Sequence, residues 1–101
     1  MPPAQTKAGT MVAKRRILIV EDQAFIADLA AEALSDTYEA VCARTVPDAI
    51  EKLLGGDITL VLLDCVLPGG TMWQVLLEAD RQQVPVVLMT GDPAQMREID
   101  G

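Results

Sequence analysis

Three acidic side chains and one hydroxyl stand where short apolar runs of this sequence stop. Glu21 and Asp22 follow ILIV (17–20), Asp64 follows ITLVLL (58–63), and Thr90 with Gly91 follows VVLM (86–89). Short runs rich in Val, Ile and Leu read as strands, and open parallel sheets bind ligands beyond the carboxyl ends of their strands. With the first, third and fourth of the chain's strands side by side, three carboxylates and a hydroxyl converge. No Lys or Arg occupies these strand ends, so the carboxylates repel one another and raise one another's pKa. A divalent cation relieves that conflict. Magnesium suits the set, because it takes one or two carboxylates plus waters and leaves room for phosphate oxygens, whereas calcium asks for more protein ligands. One carboxylate is then available as a nucleophile towards phosphorus, with Thr90 donating to a phosphoryl oxygen.

Taken singly, each residue has a plainer explanation. Glu21 and Asp22 fit a helix N-terminus, where the macrodipole favours negative charge. Asp92 before Pro93 reads as a helix cap. Asp64 alone is a turn carboxylate, Thr90 alone a strand-end residue, and Met72, Met89 and Met96 are core or groove filler. Only the joint placement of the acidic residues and Thr90 at three strand ends points to chemistry.

The elements that must position them alternate along the chain. ILIV is a strand, and 22–35 is a helix whose expected buried stripe is Phe25, Leu29, Ala33 and Leu34. A weaker strand spans 38–44. Pro47 opens a second helix, with Ile50, Leu53 and Leu54 as its buried stripe and Gly55 and Gly56 ending it. Residues 58–63 are apolar apart from Thr59 and belong at the centre of a parallel sheet covered on both faces. After the Pro68, Gly69, Gly70 turn, a helix over 72–83 aligns Met72, Val75, Leu76 and Ala79, and 85–90 forms a fourth strand. Asp92, Pro93 and Ala94 open a last helix. The order βαβαβαβ implies an α/β fold with a parallel sheet and right-handed crossovers.

At 101 residues the chain has room for one domain. Residues 1–15 read as a polar leader and 16–101 as the folded body. Net charge is −7, and from position 17 onward four basic and fifteen acidic residues give −11. So acidic a body argues against direct nucleic-acid binding and favours cations or basic protein surfaces. Cys42 and Cys65 are expected to be packing residues, with no histidine to complete a zinc site. No run approaches a membrane span and no signal peptide is evident, so a cytoplasmic setting is the default.

The runs RILIVED (16–22), LVLLDCVLPGG (60–70) and VVLMTGD (86–92) together resemble the three signature stretches of response-regulator receiver domains. That resemblance implies a doubly wound, flavodoxin-like sheet of strand order 2-1-3-4. It implies that Asp64 is the phosphoacceptor and that Glu21, Asp22 and Asp64 hold Mg2+ together with the backbone carbonyl of Val66. Thr90 would follow the phosphoryl group as the switch hydroxyl, and small Gly91 would keep that group accessible. The implied partners are a histidine kinase or phosphotransfer protein, an output domain or downstream protein, and a second copy in a homodimer. Such a receiver is a signalling module that assists its own phosphorylation and dephosphorylation.

Two departures qualify the match. Thr71 and Met72 stand where receivers usually carry an acidic residue and a glycine, implying an altered loop. The sequence also stops at Gly101, before the family's fifth strand and helix, so the resemblance implies a receiver incomplete at its C-terminus. The strand-five lysine and aromatic have no counterpart, and Lys52, on the second helix, cannot replace that lysine. A pseudo-receiver acting only as an interaction module is the alternative. A haloacid-dehalogenase-type phosphatase would want a second aspartate where Val66 stands.

Overall fold

The computed structural model describes residues 14–64 and 71–89. It contains β1 (Arg15–Val20), α1 (Ala24–Leu34), β2 (Tyr38–Ala43), α2 (Val46–Leu54), β3 (Ile58–Asp64), α3 (Met72–Arg81) and β4 (Val86–Met89). The four strands form one sheet in the order β2-β1-β3-β4, and every pairing is parallel. This is the flavodoxin-like order expected of a receiver. β1 begins at Arg15, one residue inside the stretch read as leader. Residues 1–13, Cys65, Val66, the 68–70 turn, Thr90, Gly91 and the helix expected to open at Asp92 lie outside the described residues.

β1 and β3 run through the centre because both of their faces are apolar. Leu18, Val20, Val61 and Leu63 face a core completed by Val46, Ala49 and Leu53 of α2 and Val75 and Ala79 of α3. Ile17 and Ile19 face the opposite way, onto Ala27 of α1, with Leu60 and Leu62 beside them. A bulge aligns the two strands: Arg16 pairs with Ile58 but Ile17 with Leu60, leaving Thr59 as the extra residue. The Thr59 hydroxyl donates to the Arg16 carbonyl at 3.0 Å.

Helix ends follow local chemistry. The Thr45 hydroxyl accepts from the Asp48 N–H at 3.2 Å at the start of α2, and Lys52 pairs with Asp48 one turn back at 2.8 Å. Gly56, at φ 82°, carries the chain out of α2 in the left-handed region that favours glycine. Thr71 precedes α3, and its N–H donates to the Gln74 side chain at 3.0 Å. The departure from the family pattern at this position is thus a helix start. Gln83, with φ 60°, turns the chain soon after α3, so the helix closes at Arg81, two residues earlier than expected.

Three expectations about burial need correction. The buried side of α1 is Ala27, with Ala30, Ala31 and Leu34 packed beside it, while Phe25 is 72% exposed and Leu29 and Ala33 also face outward. Alanines at 27, 30 and 31 let the helix backbone lie close to Ile17 and Ile19, and that small-residue face wins over the larger side chains. In α2, Val46, Ala49 and Leu53 are buried, Ile50 is half-buried and Leu54 is 59% exposed. Cys42 is exposed on the outer strand β2, where the sheet ends among the described residues. The α3 stripe does match: Val75 and Ala79 are buried, and Met72 and Leu76 pack against the same core. No helix among the described residues is long and apolar enough to cross a membrane.

The α2 correction is directly measurable. Leu53 is fully buried, so Leu53→Ala is expected to lower the urea unfolding free energy by roughly 3 kcal/mol. Leu54→Ala is expected to cost less than about 1 kcal/mol. Equal losses at the two positions would contradict this packing.

Candidate functional site

The register of the central strands assembles the acidic cluster. Val20 of β1 lies opposite Leu63 of β3, so the next residues along these two strands, Glu21 and Asp64, emerge side by side at the carboxyl edge of the sheet. Asp22 follows Glu21 on the turn into α1. Glu21, Asp22 and Asp64 each place a carboxylate oxygen so that all three lie within 4.8 Å of one another. Glu21 is only 5% exposed, while Asp22 and Asp64 are half-buried.

Backbone groups hold this turn. The Glu21 N–H donates to the Ala43 carbonyl at 2.9 Å, extending the contact between β1 and β2 by one residue. The Gln23 N–H donates to Glu21 Oε2 at 3.1 Å. Arg44, which follows β2, donates from Nε and Nη2 to the Asp22 carbonyl at 3.2 and 3.1 Å.

The Glu21 carboxyl is pushed up to about 7, chiefly by burial. The Gln23 N–H opposes that shift, and the neighbouring Asp64 charge and hydrogen bonds with Asp22 and Asp64 add to it. An all-oxygen, mutually repelling donor set fits a hard divalent cation, since the cation replaces the proton that otherwise relieves the charge. The cluster holds three of the residues singled out from the sequence, Glu21, Asp22 and Asp64. Val66 and Thr90 lie outside the described residues. Arg44 was not anticipated, because a lone arginine after an edge strand carries no motif; only the fold brings it to Asp22.

No family model matches the sequence. Among solved structures, the MaeR response regulator bound to beryllium trifluoride is 32% identical, with a TM-score of 0.67 over 76% of this chain and 67% of that one. The chain belongs to the response-regulator receiver family. A second match is the N-terminal domain of a response regulator/sensory box/GGDEF three-domain protein from Carboxydothermus hydrogenoformans. It is 36% identical, with a TM-score of 0.69 over 76% of this receiver and 65% of that chain. The chemotaxis protein CheY4 of Vibrio cholerae, at 20% identity and a TM-score of 0.69 over 85% of this chain and 78% of that one, shares the fold.

The raised Glu21 carboxyl gives the receiver a pH signature in metal-free buffer. Between about 4.5 and about 7 the folded protein keeps a proton on Glu21 that the unfolded chain has lost. This group's contribution to stability therefore falls as pH rises through that window and levels off above it. Urea unfolding of wild type and Glu21→Gln at a series of pH values isolates the contribution. The wild type is expected to lose stability relative to the variant across the window; a pH-independent difference would show that Glu21 holds no such proton.

Proposed function

We propose that this receiver is a phosphoacceptor: it takes a phosphoryl group from a phosphohistidine-bearing histidine kinase or phosphotransfer protein onto Asp64 in a Mg2+-dependent reaction. The observation that carries the reading is the convergence of Glu21, Asp22 and Asp64 within 4.8 Å at the carboxyl edge of a receiver sheet. An Asp64 carboxylate oxygen attacks phosphorus, forming a P–O bond as the donor's P–N bond breaks, and the donor imidazole keeps the electron pair. Glu21 and Asp22, with the Val66 carbonyl by family resemblance, are the other ligands assigned to the cation. Bound Mg2+ supplies charge neutralisation for the transferring phosphoryl group. Thr90, assigned by the same resemblance, donates its hydroxyl to a phosphoryl oxygen. The family relationship supports the reading, as does the fit of an all-carboxylate donor set to magnesium.

Phosphorylation replaces the single charge of the Asp64 carboxylate with a phosphoryl group carrying roughly 1.5 to 2 negative charges, a net gain of about one at most. A change of that size in an already anionic cluster is a physical basis for a two-state signal. The cytoplasm, where histidine kinases present their phosphohistidine, is the compartment we assign.

Incubation with Mg2+ and acetyl phosphate, or with Mg2+ and beryllofluoride, tests the proposal. With acetyl phosphate, mass spectrometry is expected to find a phosphoryl adduct on Asp64, and with beryllofluoride, fluorine NMR is expected to find a bound fluoride signal; Asp64→Ala or excess EDTA abolishes both. A folded protein that binds Mg2+ yet forms no adduct with either reagent would instead be a pseudo-receiver, working only through protein contacts.

A further inference from the structure

The regular pairing of β1 with β2 runs out at the bond from the Glu21 N–H to the Ala43 carbonyl. One residue on, the Asp22 carbonyl lies beyond that ladder and ahead of α1, whose first turn closes from the Ala27 N–H onto the Gln23 carbonyl at 3.0 Å. Arg44 directly follows Ala43, and its side chain takes up this acceptor with two donors, Nε at 3.2 Å and Nη2 at 3.1 Å. A side chain thereby continues the tether between the two strands to the residue whose carboxylate joins the acidic cluster.

We infer that Arg44 is a positioning residue for the metal site: its forked guanidinium fixes the Asp22 backbone so that the Asp22 carboxylate stays with those of Glu21 and Asp64 around a divalent cation. This rests on the metal-site reading given above. A two-pronged donor fixes direction as well as distance, which a single ammonium cannot do. Groups that orient ligands in this indirect way strongly affect metal affinity.

The charge of Arg44 works the other way. A guanidinium beside an anionic cluster repels an incoming cation, so removing it on electrostatic grounds alone tightens cation binding. Removing a positioning contact loosens binding. The sign of the change decides between the two.

Full-length protein stripped of metal is titrated with Mn2+, and the electron paramagnetic resonance signal of free Mn2+ reports binding. Wild type is expected to bind at a saturable site that Asp64→Asn weakens. Arg44→Met is expected to raise the Mn2+ dissociation constant roughly three- to tenfold, at or below the usual range for such supporting groups. Arg44→Lys, which keeps the repelling charge and loses the fork, is likewise expected to bind Mn2+ more weakly than wild type. Urea midpoints measured in EDTA should be the same for all three proteins, because Arg44 is exposed. Unchanged or tighter Mn2+ binding by Arg44→Met overturns the inference. So does a fall in metal-free stability large enough to account for the lost affinity. No saturable binding by wild type would overturn the metal-site reading itself, a failure visible before any Arg44 variant is made.

Discussion

The parallel register of β1 against β3 is the constraint on which the acidic site depends. Parallel strands have no hairpin to set their alignment, so side-chain packing must do it. Leu18 and Val20 lie opposite Val61 and Leu63, in one layer beneath α2 and α3. Ile17 and Ile19 lie opposite Leu60 and Leu62 in the other. The bulge at Thr59 sets that alignment from the entry side of the strands. A slip by one residue would exchange the two layers and part Glu21 from Asp64. Four side chains of β1 are almost fully buried, each contributing roughly 1.5 to 3 kcal/mol. The displacement of the Glu21 carboxyl from 4.5 to about 7 corresponds to an opposing term of roughly 3 kcal/mol. The core therefore outweighs the cost, chiefly of burial and less of repulsion, that it imposes on the carboxyl at its edge.

Among the described residues, the two faces of the sheet are covered unequally. α2 and α3 together pack over one of them. On the other, Ala27 of α1 packs with Ile17 and Ile19, and at the β4 end Val87 is half exposed. The close seat of α1 follows from its alanines and leaves Phe25, Ile26 and Leu29 outside. This helix starts three residues after Glu21, so its position on the sheet also sets the path of the turn that carries Asp22.

How much of this was legible in the sequence differed by scale. The central strands were readable because burial on both faces leaves an uninterrupted apolar run, as in ILIV and in 58–63. The α2 end was readable because Gly56 stands where the backbone needs positive φ. The α3 stripe was readable because its large apolar residues are the ones that pack. The α1 face was not, because alanines weigh little in a hydrophobic pattern yet decide how closely a helix approaches a sheet. Leu53 and Leu54 are chemically alike and adjacent, and only the rotation of the helix about its axis separates a buried one from an exposed one. Cys42 was misjudged because apolar character does not reveal that β2 is the outer strand. At the site, the three acidic residues were visible as strand ends. The Arg44 contact was not, since it joins the ends of β1 and β2 through a carbonyl that carries no sequence signature.

That contact shows why the cluster and the backbone around it are hard to separate. Three tethers on the turn have a backbone group at one end or both: Glu21 N–H to the Ala43 carbonyl, Gln23 N–H to the Glu21 carboxylate, and Arg44 to the Asp22 carbonyl. The Gln23 bond favours the ionised carboxylate, while burial and the neighbouring Asp64 favour the neutral one. Any event that changes the charge of the cluster, whether proton, cation or phosphoryl group, shifts the balance between these effects. The bond from the Gln23 N–H to the Glu21 carboxylate lies on the turn just before α1, whereas β1 and β3 are held by their buried layers. Rigid strands thus set where the carboxylates meet, and the β1–α1 turn is the segment whose hydrogen bonds depend on their state.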